Sequence, residues 1–337
     1  MEGITTCYYR SVQQRLFPDG IDRYYTPFLS VYPNLSFRKR DLREILSMDT
    51  EEDHLSSGHS IVGHDTMTIP QILAGSAKEI IWACDYLYSK GYPEINLNLG
   101  CPSGTVTKKG RGSGLLRDPE ILSDILREVF SARTMGGKGV RISVKTRLGL
   151  TEPEEFYKIL PVLNSFPICE IIIHPRVGSQ GYGGLPHLDI FEWAMSNSAH
   201  PIAYNGDIKT IKDLDVITSR YPSVKHIMIG RGIISNPALA REWCGGPSLQ
   251  VGELRTFIQA ITESYRGKGT SEKQVLCKLK ELWSYWSALF IDTNGDLPKL
   301  LHKLYLSKNM TDYSNAERQI LSIQFCANHG QPASNDL

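Results

Sequence analysis

Apolar and polar positions alternate with a period of two in Glu94-Ile95-Asn96-Leu97-Asn98, which predicts a strand end. From Asn98 to Leu116 no period survives, so this stretch reads as a long loop. A helix then starts at Asp118-Pro119-Glu120, with an N-cap, a proline at the first helical position and an early acid. Ile121, Leu122, Ile125, Leu126, Val129 and Phe130 follow at helical spacing. The same exchange of periods predicts strands at 22–31, 67–74, 140–146, 168–173, 201–204 and 226–229, and helices at 35–46, 77–90, 153–164, 187–197 and 209–220. Strands alternating with helices imply parallel pairing through crossover helices.

Cys244-Gly245-Gly246-Pro247 ends that pattern. Helices are predicted at 251–268, 271–290 and 297–307, with Leu279, Leu282, Trp283, Trp286, Leu289 and Phe290 forming one apolar stripe. The chain therefore divides into an α/β domain over 1–245 and a small helical domain over 248–325. Polar residues from Asp49 to Gly63 predict an exposed loop, and the last dozen residues a frayed tail.

Length and composition narrow the class. At 337 residues there is room for one α/β barrel, about 250 residues, plus an appendage. Hydrophobic residues at 41% and charged residues at 22% are ordinary for a soluble chain. A formal charge of +1 leaves any case for a nucleic-acid partner to local clusters. Three such clusters exist: Lys108-Lys109-Gly110-Arg111 with Arg117, Arg38-Lys39-Arg40 with Arg43, and residues 266–280, where five basic residues stand against Glu272. Each also fits a solvated face. The seven cysteines are scattered and never spaced as Cys-x2-Cys, so neither a disulfide framework nor a metal site is expected, and the cytoplasm is the natural compartment. No apolar run approaches the about 18 residues of a membrane span.

A thiol in the aperiodic loop marks the chemistry. Cys101, between Gly100 and Pro102, is either a buried structural cysteine or a functional thiol. Lys145 and His174 each close an apolar strand. Asn205-Gly206-Asp207 and Gly230-Arg231-Gly232 each stand between a strand and a helix, a placement that offers backbone N–H groups to a phosphate. A doubly wound sheet competes with the barrel, but Gly110-x-Gly112-x-Gly114 lacks the dinucleotide spacing and follows a long loop.

Asn98-x-Gly100-Cys101-Pro102, Val106 and Gly110-x-Gly112-x2-Leu115-Leu116 together resemble the central motif of the flavin-dependent tRNA-dihydrouridine synthases. The resemblance continues through Ser143 to Gly149, Ile173-His174-Pro175-Arg176, Asn205 to Ile208 and Ile229 to Gly232. It implies a (β/α)8 TIM barrel. The eighth strand would come from Met1-Glu2-Gly3-Ile4-Thr5, which resembles the family's first-strand motif without the residues that normally precede it, so this strand is expected to be incomplete.

The resemblance also implies roles. Hydride from reduced FMN reaches C6 of a uridine while Cys101 protonates C5, a task for which a thiol of ordinary pKa (about 8.5) is a suitable general acid. Met1, Gln71, Lys145, His174, Asn205, Gly206, Asp207, Gly230 and Arg231 would bind FMN, with Lys145 beside the electron-rich ring edge. Asn98 would read a uracil edge or cap a turn, Arg176 would hold RNA, and Lys108, Lys109 and Arg111 would contact its phosphates. NADPH is the implied reductant and tRNA the implied substrate, with ribosomal RNA an alternative; a monomer is expected. Two other readings stay open: an FMN barrel oxidoreductase acting on a free small molecule such as a dihydropyrimidine, and a catalytically silent RNA-binding protein.

Overall fold

The structure is a computed structural model that describes residues 1–45, 68–136, 139–267 and 270–327. The loop predicted at 49–63 and most of the predicted tail lie outside these residues. The described chain falls into two units: Arg23–Gly206 with Pro222–Met228, and Met1–Asp22 with Asp207–Tyr221 and Ile229–Leu337.

In chain order the helices are α1 (Cys7–Leu16), α2 (Lys39–Leu42), α3 (Ala77–Ser89), α4 (Gly104–Thr107), α5 (Pro119–Gly136), α6 (Phe156–Asn164), α7 (Leu188–Asn197), α8 (Ile211–Arg220), α9 (Arg231–Ser235), α10 (Leu239–Trp243), α11 (Val251–Arg266), α12 (Glu272–Trp286), α13 (Leu297–Leu306) and α14 (Met310–Ile320). The strands are β1 (Tyr24–Tyr25), β2 (Leu29–Ser30), β3 (Thr68–Ile69), β4 (Gln71–Leu73), β5 (Glu94–Leu99), β6 (Arg141–Arg147), β7 (Ile171–His174), β8 (Ile202–Asn205) and β9 (His226–Met228). β1 and β2 are one predicted strand broken around Pro27, and β3 and β4 another broken at Pro70, since proline brings no N–H to a ladder.

All strand pairs in the first unit are parallel, and the main sheet runs β2-β4-β5-β6-β7-β8-β9. With β1–β2 and β3–β4 each taken as one broken strand, each strand pairs with its sequence neighbour and the order never reverses. A doubly wound sheet needs a reversal, so this is the winding of a barrel. Residues 2–5 form a turn leading into α1 and not the expected first strand, because Ile4 N and Thr5 N both donate back to Met1 O. Seven of the eight predicted strand positions are thus present among the described residues.

Consecutive strands bury continuous apolar runs such as Ile171-Ile172-Ile173, as a sheet covered on both faces requires. In the other unit α1, α9, α11, α12, α13 and α14 share one core, centred on Tyr9, Phe257, Trp283, Trp286 and Tyr313. Among the described residues no helix is long and apolar enough to cross a membrane.

Candidate active site

Sequential parallel strands deliver their carboxyl ends to one rim, and the chemistry-bearing residues of the first unit gather there. β5 ends in the Cys101 turn. Asn98 builds it: Oδ1 accepts from Gly100 N at 3.0 Å and from Cys101 N at 2.9 Å, while Nδ2 donates to Gln71 Oε1 at 2.8 Å. Gln71 Nε2 donates to Asn96 Oδ1 at 2.8 Å and Asn96 Nδ2 to Ser143 Oγ at 3.0 Å. This buried amide ladder crosses β4, β5 and β6, and Asn98 spends both ends of its amide inside it. Gln71 keeps one N–H beyond these bonds.

The loop after Cys101 folds back beneath it. Cys101 O accepts from Ser113 N at 3.0 Å and from Ser113 Oγ at 3.1 Å. Gly112 has φ +56°, and a Cβ there would meet Cys101 O at 2.7 Å, so only glycine fits. Cys101 itself stays half-buried. Lys108 and Lys109 are exposed, but Arg111 turns inward to Glu79 on α3, with Nη2 2.7 Å from Oε1.

Lys145 lies opposite Asn98 in the β5–β6 register. It keeps some accessible surface, yet protein crowds the ammonium: desolvation, then the neighbouring Arg147 charge, lowers its pKa to about 8. Cys101 is close enough to act on it in the opposite sense. Arg147, 2% exposed, donates from Nε to Gly100 O at 3.1 Å and from Nη1 to Val177 O at 2.7 Å. The Tyr182 ring, itself exposed, lies 5.7 Å from its guanidinium carbon. Among the described residues no carboxylate pairs with Lys145 or Arg147.

His174 and Arg176 are both buried. Arg176 donates to Gly183 O from Nε at 3.1 Å and to Gly184 O from Nη2 at 2.6 Å, and its Nη1 stands 3.2 Å from His174 Nε2. Arginine can only donate, so Nε2 accepts and the ring proton sits on Nδ1. Gly206 has φ +144°, and a Cβ there would come within 3.1 Å of His174 Cδ2. Asn205 Nδ2 donates to Met228 O at 2.8 Å, tying β8 to β9. In the other unit, Arg231 pairs with Asp207 at 3.2 Å, and a Cβ on Gly230 would lie 3.9 Å from Met1 Sδ.

The family profile for dihydrouridine synthase (Dus) matches residues 1–288. The chain belongs to the dihydrouridine synthase family. A probable tRNA-dihydrouridine synthase from Staphylococcus aureus is 35% identical over 258 residues, 74% of this chain and 73% of that one. A tRNA-dihydrouridine(16) synthase from Aquipseudomonas alcaligenes is 34% identical over 173 residues, so this chain spans about half of that relative, 51% of each. Among solved structures, the old yellow enzyme from Trypanosoma cruzi is similar at 9% identity and a TM-score of 0.47, over 80% of this chain and 91% of that one. That likeness adds nothing to the assignment.

Within the dihydrouridine synthase rim, three residues carry more of the geometry than their sequence context announces. Arg147 sits two places after Lys145, in the alternation that sends both to one side of β6, and that period was the available signal. Glu79 is written as the fourth residue of a Ser-x-x-Glu helix start, which signals a cap and nothing about a loop 32 residues away. Tyr182 belongs to a glycine-rich segment with no period at all.

Proposed function

We propose that this chain reduces the C5=C6 bond of specific uridines in tRNA to dihydrouridine, with FMN as cofactor and NADPH as reductant. The observation that carries the reading is the thiol of Cys101 beside two cations, Lys145 and Arg147, that lack any carboxylate partner among the described residues. Buried cations without an internal counter-charge call for an electron-rich ligand.

The residues fit a flavin. Lys145 supplies positive charge, His174 an Nδ1–H donor and Gln71 a spare amide N–H, from three strands that end on one rim. The absence of a Cβ on Gly206 lets the chain pass close to the His174 ring. Asn205 fixes the β8 end of that rim. Bound FMN supplies hydride to C6 of the uracil. Cys101 supplies the proton to C5 from its thiol, and Lys145 and Arg147 offset the charge left on sulfur. Lys108 and Lys109, exposed on the same loop, contact phosphates that flank the extruded nucleotide.

The test is Cys101→Ala in purified, full-length protein. It keeps yellow flavin and NADPH oxidation and loses dihydrouridine formation on an unmodified tRNA transcript; undiminished product removes Cys101 as the acid. Protein that takes up no FMN at all overturns the reading itself. Comparing dihydrouridine position by position in RNA from cells with and without the gene identifies the target and separates tRNA from ribosomal RNA.

A further inference from the structure

Helix α3 opens with Ser76-Ala77-Lys78-Glu79, and Ser76 Oγ accepts from Glu79 N at 3.4 Å. The Glu79 carboxylate reaches back over the start of the helix, where Oε2 accepts from Gly75 N at 2.7 Å. A capping glutamate needs only one of its oxygens for the backbone. Here Oε1 accepts from Arg111 Nη2 at 2.7 Å, and the two side chains keep only 11% and 15% of their surface. Gly75 permits the approach, because a Cβ there would stand 3.0 Å from Arg111 Cγ.

Arg111 is the hinge of the turn that supports the thiol. Its carbonyl accepts from Gly114 N at 2.9 Å, its amide donates to Val106 O at 3.3 Å, and the next two residues are Gly112 and Ser113, which press on Cys101 from below. Residues 103–105, 108 and 109 are exposed, so the stretch before Arg111 has little apolar packing of its own, whereas Leu115 and Leu116 after it are buried. Asn98 fixes the amide side of Cys101 and Arg147 the Gly100 carbonyl; the Glu79–Arg111 pair holds the third side.

We propose that Glu79 is a positioning residue for the proton donor, and that Arg111 is a strut to Glu79 and not a phosphate contact. The role rests on the reading of Cys101 as the acid. A buried cation deprived of its carboxylate must move toward water, which carries the Gly112-Ser113 support away from Cys101. A shift of about 1 Å in a reacting group costs on the order of 100-fold.

The experiment compares Glu79→Gln, Arg111→Met and Arg111→Lys in FMN-loaded, full-length protein with an unmodified tRNA transcript. Glu79→Gln keeps an acceptor for Gly75 N and loses the ion pair. The expected result is a fall of about 10- to 100-fold in kcat for uridine reduction with Glu79→Gln and Arg111→Met, and a smaller fall with Arg111→Lys. KM for the transcript, its salt dependence and the rate of flavin reduction by NADPH stay as in wild type. In flavin-free protein, iodoacetamide labels Cys101 at a rate changed at least several-fold by Glu79→Gln, a readout independent of turnover. Should either charge-removing variant unfold, Arg111→Lys against wild type, read by labelling and kcat, still decides. The proposal is overturned if Arg111→Met raises KM and flattens the salt dependence while Glu79→Gln keeps kcat, because Arg111 is then a phosphate contact. Unchanged kcat and labelling in all three variants also overturn it. A wild-type protein that reduces no uridine in any RNA defeats the functional reading alone, and the labelling rates then test the strut by themselves.

Discussion

His174 Nε2 accepts from Arg176 Nη1 at 3.2 Å, and the same guanidinium carries the carbonyls of Gly183 and Gly184. One buried arginine therefore sets the tautomer of a rim histidine and pins the segment that bears Tyr182. Arg176→Ala removes three donors and leaves two carbonyls and a ring nitrogen to find water. The segment should open locally well before the sheet does. Limited chymotrypsin digestion checks this, with cleavage after Tyr182 at least about tenfold faster than in wild type. Equal rates would mean that Gln180, which accepts from Val177 N at 3.1 Å and donates to Leu185 O at 3.2 Å, suffices to hold the segment.

Much of the barrel was legible because its strands and helices keep distinct periods, and the sequential sheet order followed from the alternation. The breaks at Pro27 and Pro70 were not read, although a proline inside each predicted strand removes a ladder N–H there. α1 was not legible, since Tyr9 and Val12 become part of an apolar face only against α11, which lies more than two hundred residues later. α14 was missed for its polarity: Met310 to Ile320 buries little besides Tyr313, Ala316 and Ile320. At the rim, residue types were readable and partners were not. Arg111 read as one of three loop cations, and only the position of Glu79, 32 residues earlier, separates it from Lys108 and Lys109.

Asn98 illustrates the same limit and is testable. Both of its amide ends are committed, two bonds to the Cys101 turn and one to Gln71. Asn98→Ala leaves buried N–H groups and the Gln71 oxygen unsatisfied, at a cost of about 1–3 kcal/mol. For a domain of this size that corresponds to a fall in Tm of about 3–10 °C. Uridine reduction should fall at the same time, because the thiol loses its turn. Differential scanning calorimetry and dihydrouridine assay on one preparation measure both, and a variant with wild-type Tm that loses only RNA affinity would return Asn98 to the role of base reader.

Lys145 makes the rim pH-sensitive. Its pKa falls from 10.5 in the unfolded chain to about 8 in the folded protein, chiefly through desolvation and then through Arg147. The folded state thus binds fewer protons between these values, so stability rises with pH from 8 to 10.5 and is lower on the acid side. Lys145→Met should abolish that slope and raise the Tm of flavin-free protein at pH 7, while weakening FMN binding. Wild-type protein should also release FMN more readily as pH rises through 8 and the ammonium loses its proton. Flavin fluorescence during a pH series reads the release, and retention that is flat from pH 7 to 10 would detach Lys145 from the cofactor.

Glu317 sets an opposite slope in the other unit. Burial pushes its carboxyl up from 4.5 to about 7, a rise that the Tyr313 hydroxyl and Arg255 only partly offset. Tyr313 OH stands 3.4 Å from Glu317 Oε1 and accepts from Trp283 Nε1 at 2.8 Å, which puts the group against the most buried aromatics of the helical core. Because the folded-state pKa is the higher one, the stabilising contribution is complete below 4.5 and is lost as pH rises through 7. A carboxyl raised that far withdraws roughly 3 kcal/mol of stability by pH 8. Glu317→Gln keeps the shape and an acceptor without the charge, so its Tm should exceed that of wild type by about 5–10 °C at pH 8 and converge with it near pH 4.5. Thermal melts of both proteins at pH 5 and pH 8 provide the comparison; a variant no more stable than wild type at pH 8 would show that the ionised carboxylate finds water or Arg255 at no cost.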